Sequence, residues 1–236
     1  MSCIATISAI TASIWLASTG ADRVLVIGTE DTFPPYILRD DAGALSGFDY
    51  EVMTEICNRT HHDCQWEVAQ FGELIPGVAE GRFDVVLGGM AITPERRAVV
   101  DMSIPYTFGN SLEWFVGFAA APPPGAARIA VEAGTMHETW LRKEKLDFRS
   151  YTSEPAVLNA VARGAADLAL GPFSGRTDLE TLIAGQGLEY VYSQEIPDEG
   201  TGIAMCKGNA LKAEIDSAIA AMEADGTLDS LHDTWF

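Results

Sequence analysis

The sequence predicts an α/β protein folded as two lobes, on three observations. Short apolar runs alternate with stretches whose apolar residues recur at helical spacing, the pattern of β-α units around a parallel sheet. One such unit occurs twice. Gly81-Arg82-Phe83-Asp84-Val85-Val86-Leu87-Gly88 is echoed by Gly164-Ala165-Ala166-Asp167-Leu168-Ala169-Leu170-Gly171, each with a helix-ending glycine, a short gap, Asp, an apolar run and Gly. The proline-rich stretch Pro122-Pro123-Pro124-Gly125 separates the two halves. Such an order argues against an all-β fold or a helical bundle.

Taken in order, residues 24–28 form a short apolar strand, and the consecutive prolines Pro34 and Pro35 forbid a helix after it, placing Phe33 and Tyr36 on a loop. Asp40-Asp41-Ala42-Gly43 reads as a hairpin-like turn. A helix opens at Gly47-Phe48-Asp49 with Asp49 as N-cap, and carries Phe48, Val52, Ile56 and Cys57 on one face. Residues 65–69 give a strand, residues 71–81 a helix stopped by Gly81, and residues 83–87 a buried strand ending in Gly88-Gly89. The second half repeats the alternation, with helices near 137–146, 155–162 and 178–184 and strands at 188–192 and 202–206. A last helix carries Leu211, Ile215, Ile219 and Met222, and an apolar tail of Leu228, Leu231, Trp235 and Phe236 must pack against the body.

Charge narrows the partners. With 34 acidic against 15 basic residues the formal charge is −19, which makes nucleic acid and anionic membranes improbable partners. Residues 1–21 are uncharged and include an apolar stretch at 4–16, short for a membrane span and suited to a signal peptide cleaved after Thr19-Gly20-Ala21. Export permits a Cys57–Cys64 disulfide tying a helix end to the next strand. His61-His62-Asp63-Cys64 invites a metal reading, but adjacent histidines and a lone local cysteine lack tetrahedral ligand spacing, so no metal and no cofactor are expected.

The stretch GGMAITPER, residues 88–96, carries the chemistry. Thr93 reads as an N-cap and Pro94 as the first helical residue, which puts Arg96 in the first turn. A cation there, beside free backbone N–H groups and just past two glycines, is a seat for a carboxylate or phosphate. The alternative is an ordinary pairing of Arg96 with Asp84, Asp101 or Glu95.

The motifs IGTEDTFPPY, GFDYEVMTEIC, GELIPGVAEGRFDVV and MAITPERR, with the tail ADGTLDSLHDTWF, resemble in order the markers of periplasmic solute-binding proteins that serve polar amino-acid ABC importers. The likeness is greatest to the lysine/arginine/ornithine- and histidine-binding branch, where the Cys57–Cys64 spacing also matches a common disulfide. The resemblance covers residues 22–236 and implies the type II periplasmic binding protein fold, two α/β lobes joined by two hinge strands with a ligand cleft between them. Lobe one would be residues 22–108 plus 198–236 and lobe two residues 109–197, with hinge crossings near 106–114 and 192–199. It implies a monomeric receptor in the periplasm that closes on an amino acid or related carboxylate and delivers it to a membrane permease.

Residue by residue, the resemblance makes Arg96 the grip on the ligand carboxylate, completed by backbone N–H groups near Ala91 and Thr135. Phe33 would cover the ligand's aliphatic part, Phe71 would form an apolar wall, and Glu30 would read a cationic side chain; each also reads as ordinary packing or a solvated charge. The departures are equally specific. Gly88, Gly89 and Ala91 stand where the family often has serines, and Pro172 stands where it has the acid that holds the α-ammonium. Met136 and His137 replace a small or amide pair, and Glu132 an apolar residue. A buried ammonium without an acceptor costs several kcal/mol. Either Glu132 or Glu30 substitutes, or the ligand lacks a free α-ammonium. A second class of function on the same fold is a secreted cyclohexadienyl dehydratase, with Glu132 or Glu30 and His137 as acid-base groups.

Overall fold

The computed structural model describes residues 24–109 and 111–236. The segment read as a signal peptide lies outside the described residues.

The chain begins with strand β1 (Val24–Thr29) and a small antiparallel sheet of β2 (Thr32–Phe33), β3 (Ile37–Arg39) and β4 (Leu45–Ser46). Helix α1 (Phe48–Thr60), β5 (Asp63–Val68), α2 (Phe71–Glu80), β6 (Val85–Val86), α3 (Pro94–Val99) and β7 (Asp101–Met102) follow. The second half contains β8 (Leu112–Gly117), β9 (Ile129–Glu132), α4 (Met136–Glu144), β10 (Phe148–Tyr151), α5 (Glu154–Ala162), β11 (Leu168–Gly171), α6 (Thr177–Gly185) and β12 (Glu189–Glu195). The chain closes with β13 (Ala204–Met205), α7 (Leu211–Ala224) and α8 (Thr227–Trp235).

Two sheets organise these elements, in the orders β5-β1-β6-β13-β7 and β10-β9-β11-β8-β12. The chain leaves the first sheet after β7 and returns to it at β13, so both crossings run between the same two bodies. Each sheet is buried on both faces. In β1, Leu25 and Ile27 pack with α1, α7 and the buried Leu228, while Val26 turns to the core under α2. In β9, Ile129 and Val131 face one core and Ala130 the other. That alternation is the pleat of a strand buried on both faces, and it explains the nearly continuous apolar runs in the sequence.

The internal repeat has a structural cause. Asp84 accepts the N–H of Val26 at 3.0 Å and returns its own N–H to the Val26 carbonyl at 2.9 Å. Asp167 does the same with Arg128, at 2.9 Å and 2.8 Å. In each lobe one aspartate holds the start of the first parallel strand beside the strand that follows it.

Three expectations are corrected. The strand read at 83–87 is only Val85–Val86, because Phe83 is a core residue turned into the body under α2. Phe33 lies on β2 rather than a loop, since the hairpin pairs Phe33 with Ile37. Asp49 is not the N-cap of α1, whose N-cap is Gly47 at φ +123. Instead Asp49 is fully buried, accepting the Gly89 N–H at 2.7 Å and the Tyr106 hydroxyl at 2.8 Å. Cys57 and Cys64 form a disulfide joining α1 to β5.

Candidate functional site

A cleft of about 820 Å³ opens between the two sheets, within the range of small-molecule sites. Its lining brings together every residue singled out for ligand contact, Glu30, Phe33, Phe71, Gly88, Gly89, Ala91 and Arg96 from the first lobe, and Glu132, Thr135, Met136, His137 and Pro172 from the second. The tail contributes as well. Phe236 packs edge-on against Phe48 and Tyr36 and joins the lining with His232 and Trp235, so the tail is core and cleft wall together.

Arg96 is placed by its helix start. Pro94 occupies the first turn of α3 and the Thr93 hydroxyl accepts the Arg96 N–H at 3.2 Å. The guanidinium is buried, donating to the carbonyls of Ala91 at 2.6 Å and, across the cleft, Gly134 at 3.0 Å. It lies over the Phe71 ring at 5.3 Å. Asp84 is engaged with Val26, and Asp101 with Lys207 and the Gly208 N–H. Among the described residues no carboxylate forms an ion pair with Arg96, and burial lowers its pKa to about 10, with Asp198 opposing the fall. A buried, fork-shaped cation satisfied only by carbonyls still lacks an anionic partner.

The two glycines before it are held in conformations that favour glycine. Gly89 sits at φ +58, and a Cβ there would lie 2.2 Å from Cε1 of Phe33; Gly88 sits at φ +144. Both demand glycine on conformation, and Gly89 on space as well. Gly89→Ser is expected to cost roughly 1–3 kcal/mol from overpacking against Phe33, readable as a lower urea midpoint without a change of slope.

Thr135 caps α4. Its hydroxyl accepts the Glu138 N–H at 3.2 Å and donates to the Glu132 carbonyl at 2.8 Å, while the Glu138 carboxylate accepts the Gly134 N–H at 2.7 Å. These bonds, a variant of the capping box in which Glu138 takes the N–H one residue before the N-cap, fix the loop that faces Arg96. Met136 packs partly against the second core. His137 pairs with Glu113 at 3.0 Å, both nearly solvent-free.

The other end of the cleft holds three glutamates and a second arginine. Arg176 is 5% exposed and Glu154 6% exposed. The guanidinium meets Glu154 at 2.9 Å and Asp178 at 2.9 Å and 3.1 Å, donates to the Thr32 carbonyl at 3.1 Å, and lies 4.9 Å over the Phe33 ring. Burial pushes Glu132 up to about 7 and Glu154 up to about 8, each against the pull of Arg176. Glu30 is raised well above the usual carboxylate range, by burial first and then by Glu132 and Glu154. The cluster is short of positive charge.

Sequence reading missed Glu113, Glu154 and Arg176. Glu113 hides in an apolar strand, and Glu154 and Arg176 stand at helix starts, where charged residues read as caps. The repeat held a signal for Arg176. It aligns Gly88 with Gly171, and an arginine follows each glycine at the opening of the next helix.

The family of bacterial extracellular solute-binding proteins, family 3, matches this chain over residues 25–116 and 120–236. The chain is similar to the L-cystine-binding protein TcyJ of Escherichia coli (strain K12), 28% identical over 90% of this chain and 82% of the relative. It is also similar to ABC transporter arginine-binding protein 1 of the same organism, 27% identical over 98% of this chain and 97% of the relative. Among solved structures it resembles a periplasmic His/Glu/Gln/Arg/opine family-binding protein from Silicibacter pomeroyi in complex with lysine. That likeness has a TM-score of 0.78 at 26% identity and covers 90% of this chain and 96% of that one. These relatives are named as binding proteins. The two-sheet fold, the cleft and the match over nearly every described residue make this chain a member of the bacterial extracellular solute-binding proteins, family 3.

Proposed function

We propose that this protein is the periplasmic receptor of an amino-acid ABC importer, exported by the signal peptide at residues 1–21 and acting as a monomer on a membrane permease. The observation that carries the reading is the pairing in one cleft of a buried guanidinium without an ion-pair partner among the described residues and buried glutamates short of positive charge. Arg96 takes the α-carboxylate, with backbone N–H groups at Ala91 and Thr135 beside it. Glu30 and Glu132, one from each lobe, take the α-ammonium that Pro172 cannot hold. Phe33 and Phe71 form apolar walls, and Gly88 and Gly89 let backbone approach the ligand. Met136 and His137 line the second lobe's side.

Residues 22–108 plus 198–236 form one lobe and 109–197 the other, hinged near 106–114 and 192–199. Contacts to both lobes make the ligand favour closure. In the closed arrangement the backbones of Gly72 and Gly134 meet, since a Cβ on Gly134 would lie 2.6 Å from the Gly72 Cα. A thermal-shift screen over amino acids, opines, betaines and simple carboxylates tests the proposal. Saturation at about 100 times Kd supplies about 2.7 kcal/mol, which should raise Tm by roughly 5–10 °C for a chain of this size. The shift is expected only with ligands that carry both carboxylate and ammonium. A shift confined to ammonium-free carboxylates would remove Glu30 and Glu132 from the role given to them.

A further inference from the structure

Resting on the amino-acid reading, we propose that Arg176 sets specificity by filling the part of the cleft where a cationic ligand side chain would lie, so that the receptor selects amino acids with uncharged side chains over arginine and lysine. A ligand guanidinium needs an aromatic face, carboxylates matched to its fork, and a carbonyl to take a further N–H. The cleft offers all of these at one place, and Arg176 occupies them. Phe33 lies under its guanidinium at 4.9 Å, Glu154 and Asp178 take it at 2.9 Å each, and the Thr32 carbonyl accepts from it at 3.1 Å. The groups belong to both lobes, Thr32 and Phe33 to the small sheet after β1 and Glu154 and Asp178 to the starts of α5 and α6.

A second guanidinium or ammonium brought to this place would meet a like charge inside a low-dielectric wall and find the ring and the acids engaged. Arg176 does not serve as a second carboxylate seat. Its fork is committed to two carboxylates, whereas Arg96 donates only to carbonyls. An acidic side chain would also meet Glu30, Glu132 and Glu154, which line the same cleft. The carboxylate at Arg96 and the ammonium at Glu30 and Glu132 leave a ligand side chain that is neutral.

The test is titration calorimetry of the exported protein against the standard L-amino acids. For the unmodified protein the tightest ligand should have an uncharged side chain, with arginine and lysine about tenfold or more weaker. Arg176→Met should move the arginine-to-neutral affinity ratio about tenfold or more toward arginine, because Glu154 and Asp178 are then open to it. Arg176→Lys should keep the original discrimination, which a merely structural role for the side chain would not require. Where Arg176→Met does not fold, the Arg176→Met/Glu154→Gln pair removes the cation without stranding a buried carboxylate, and discrimination should fall to within about threefold. A tightest ligand that is cationic or acidic overturns the proposal, as does an unchanged ratio once Arg176 is removed. Binding of no amino acid at all would instead sink the amino-acid reading, and this proposal with it.

Discussion

Replacing Arg96 with alanine is expected to weaken amino-acid binding by about 30- to 4000-fold, corresponding to roughly 2–5 kcal/mol for the loss of a desolvated, bidentate charge partner. The ligand-free protein should tolerate the change. Its guanidinium is buried without an ion pair among the described residues, and burial already lowers its pKa to about 10. Removing it therefore relieves a desolvated charge rather than breaking a salt bridge. Calorimetry and a thermal melt on the same variant read the two effects separately. Near-normal affinity would exclude Arg96 as the carboxylate seat, and a collapse of the ligand-free melt would show that its role is structural.

The protein should be more stable near about pH 5 than near about pH 8, because of its buried carboxyls. Burial pushes Asp49 from 3.8 up to about 7, against the pull of the Gly89 N–H and the Tyr106 hydroxyl. A carboxyl whose pKa is raised in the fold binds its proton more tightly folded than unfolded. Its stabilising contribution is full below the unfolded value near 4 and is lost as pH rises through the folded value. Glu132 and Glu154, raised to about 7 and about 8 by burial in the closed cleft, act in the same direction while the lobes are closed. Asp167 and Asp225, held near 2 by Arg128 and by Thr227 with Arg59, act oppositely, adding stability above about 4 that is lost toward 2. Maximum stability therefore falls between about pH 4 and 6. Asp49 alone contributes a difference of about 2–3 kcal/mol between about pH 5 and pH 8. Urea titrations at the two pH values measure it, and Asp49→Asn should flatten the profile. Stability that rises over this interval would refute the assignment.

The elements of this fold are written in local pattern. Spacing of apolar residues gave α2, α4, α5, α6 and α7 to within a residue or two, because one face of each must be buried wherever it packs, whereas the closing helix α8 reads in the sequence only as an apolar tail. Thr93-Pro94 and Ser153 announced their helix starts, since a hydroxyl acceptor and a missing N–H act within a single turn. The paired aspartates of the repeat were visible as a pattern, although their strand-clamping bonds reach back to Val26 and Arg128.

The cleft was legible where one segment carries the chemistry, as at GGMAITPER, and illegible where charge is assembled from distant segments. Arg176 meets Thr32 from the other lobe, and Glu30, Glu132 and Glu154 influence one another only after both sheets have formed. Asp49 has the local look of a helix cap, yet the fold turns it inward to Gly89 and Tyr106. Local sequence could say that glycines precede Arg96. That both adopt a positive φ, and that Phe33 leaves no room for a Cβ at Gly89, was decided by packing across the chain. Backbone conformation and burial periodicity are short-range and survive in sequence order. The meeting of charges in a low-dielectric cleft is long-range, and only the assembled lobes determine it.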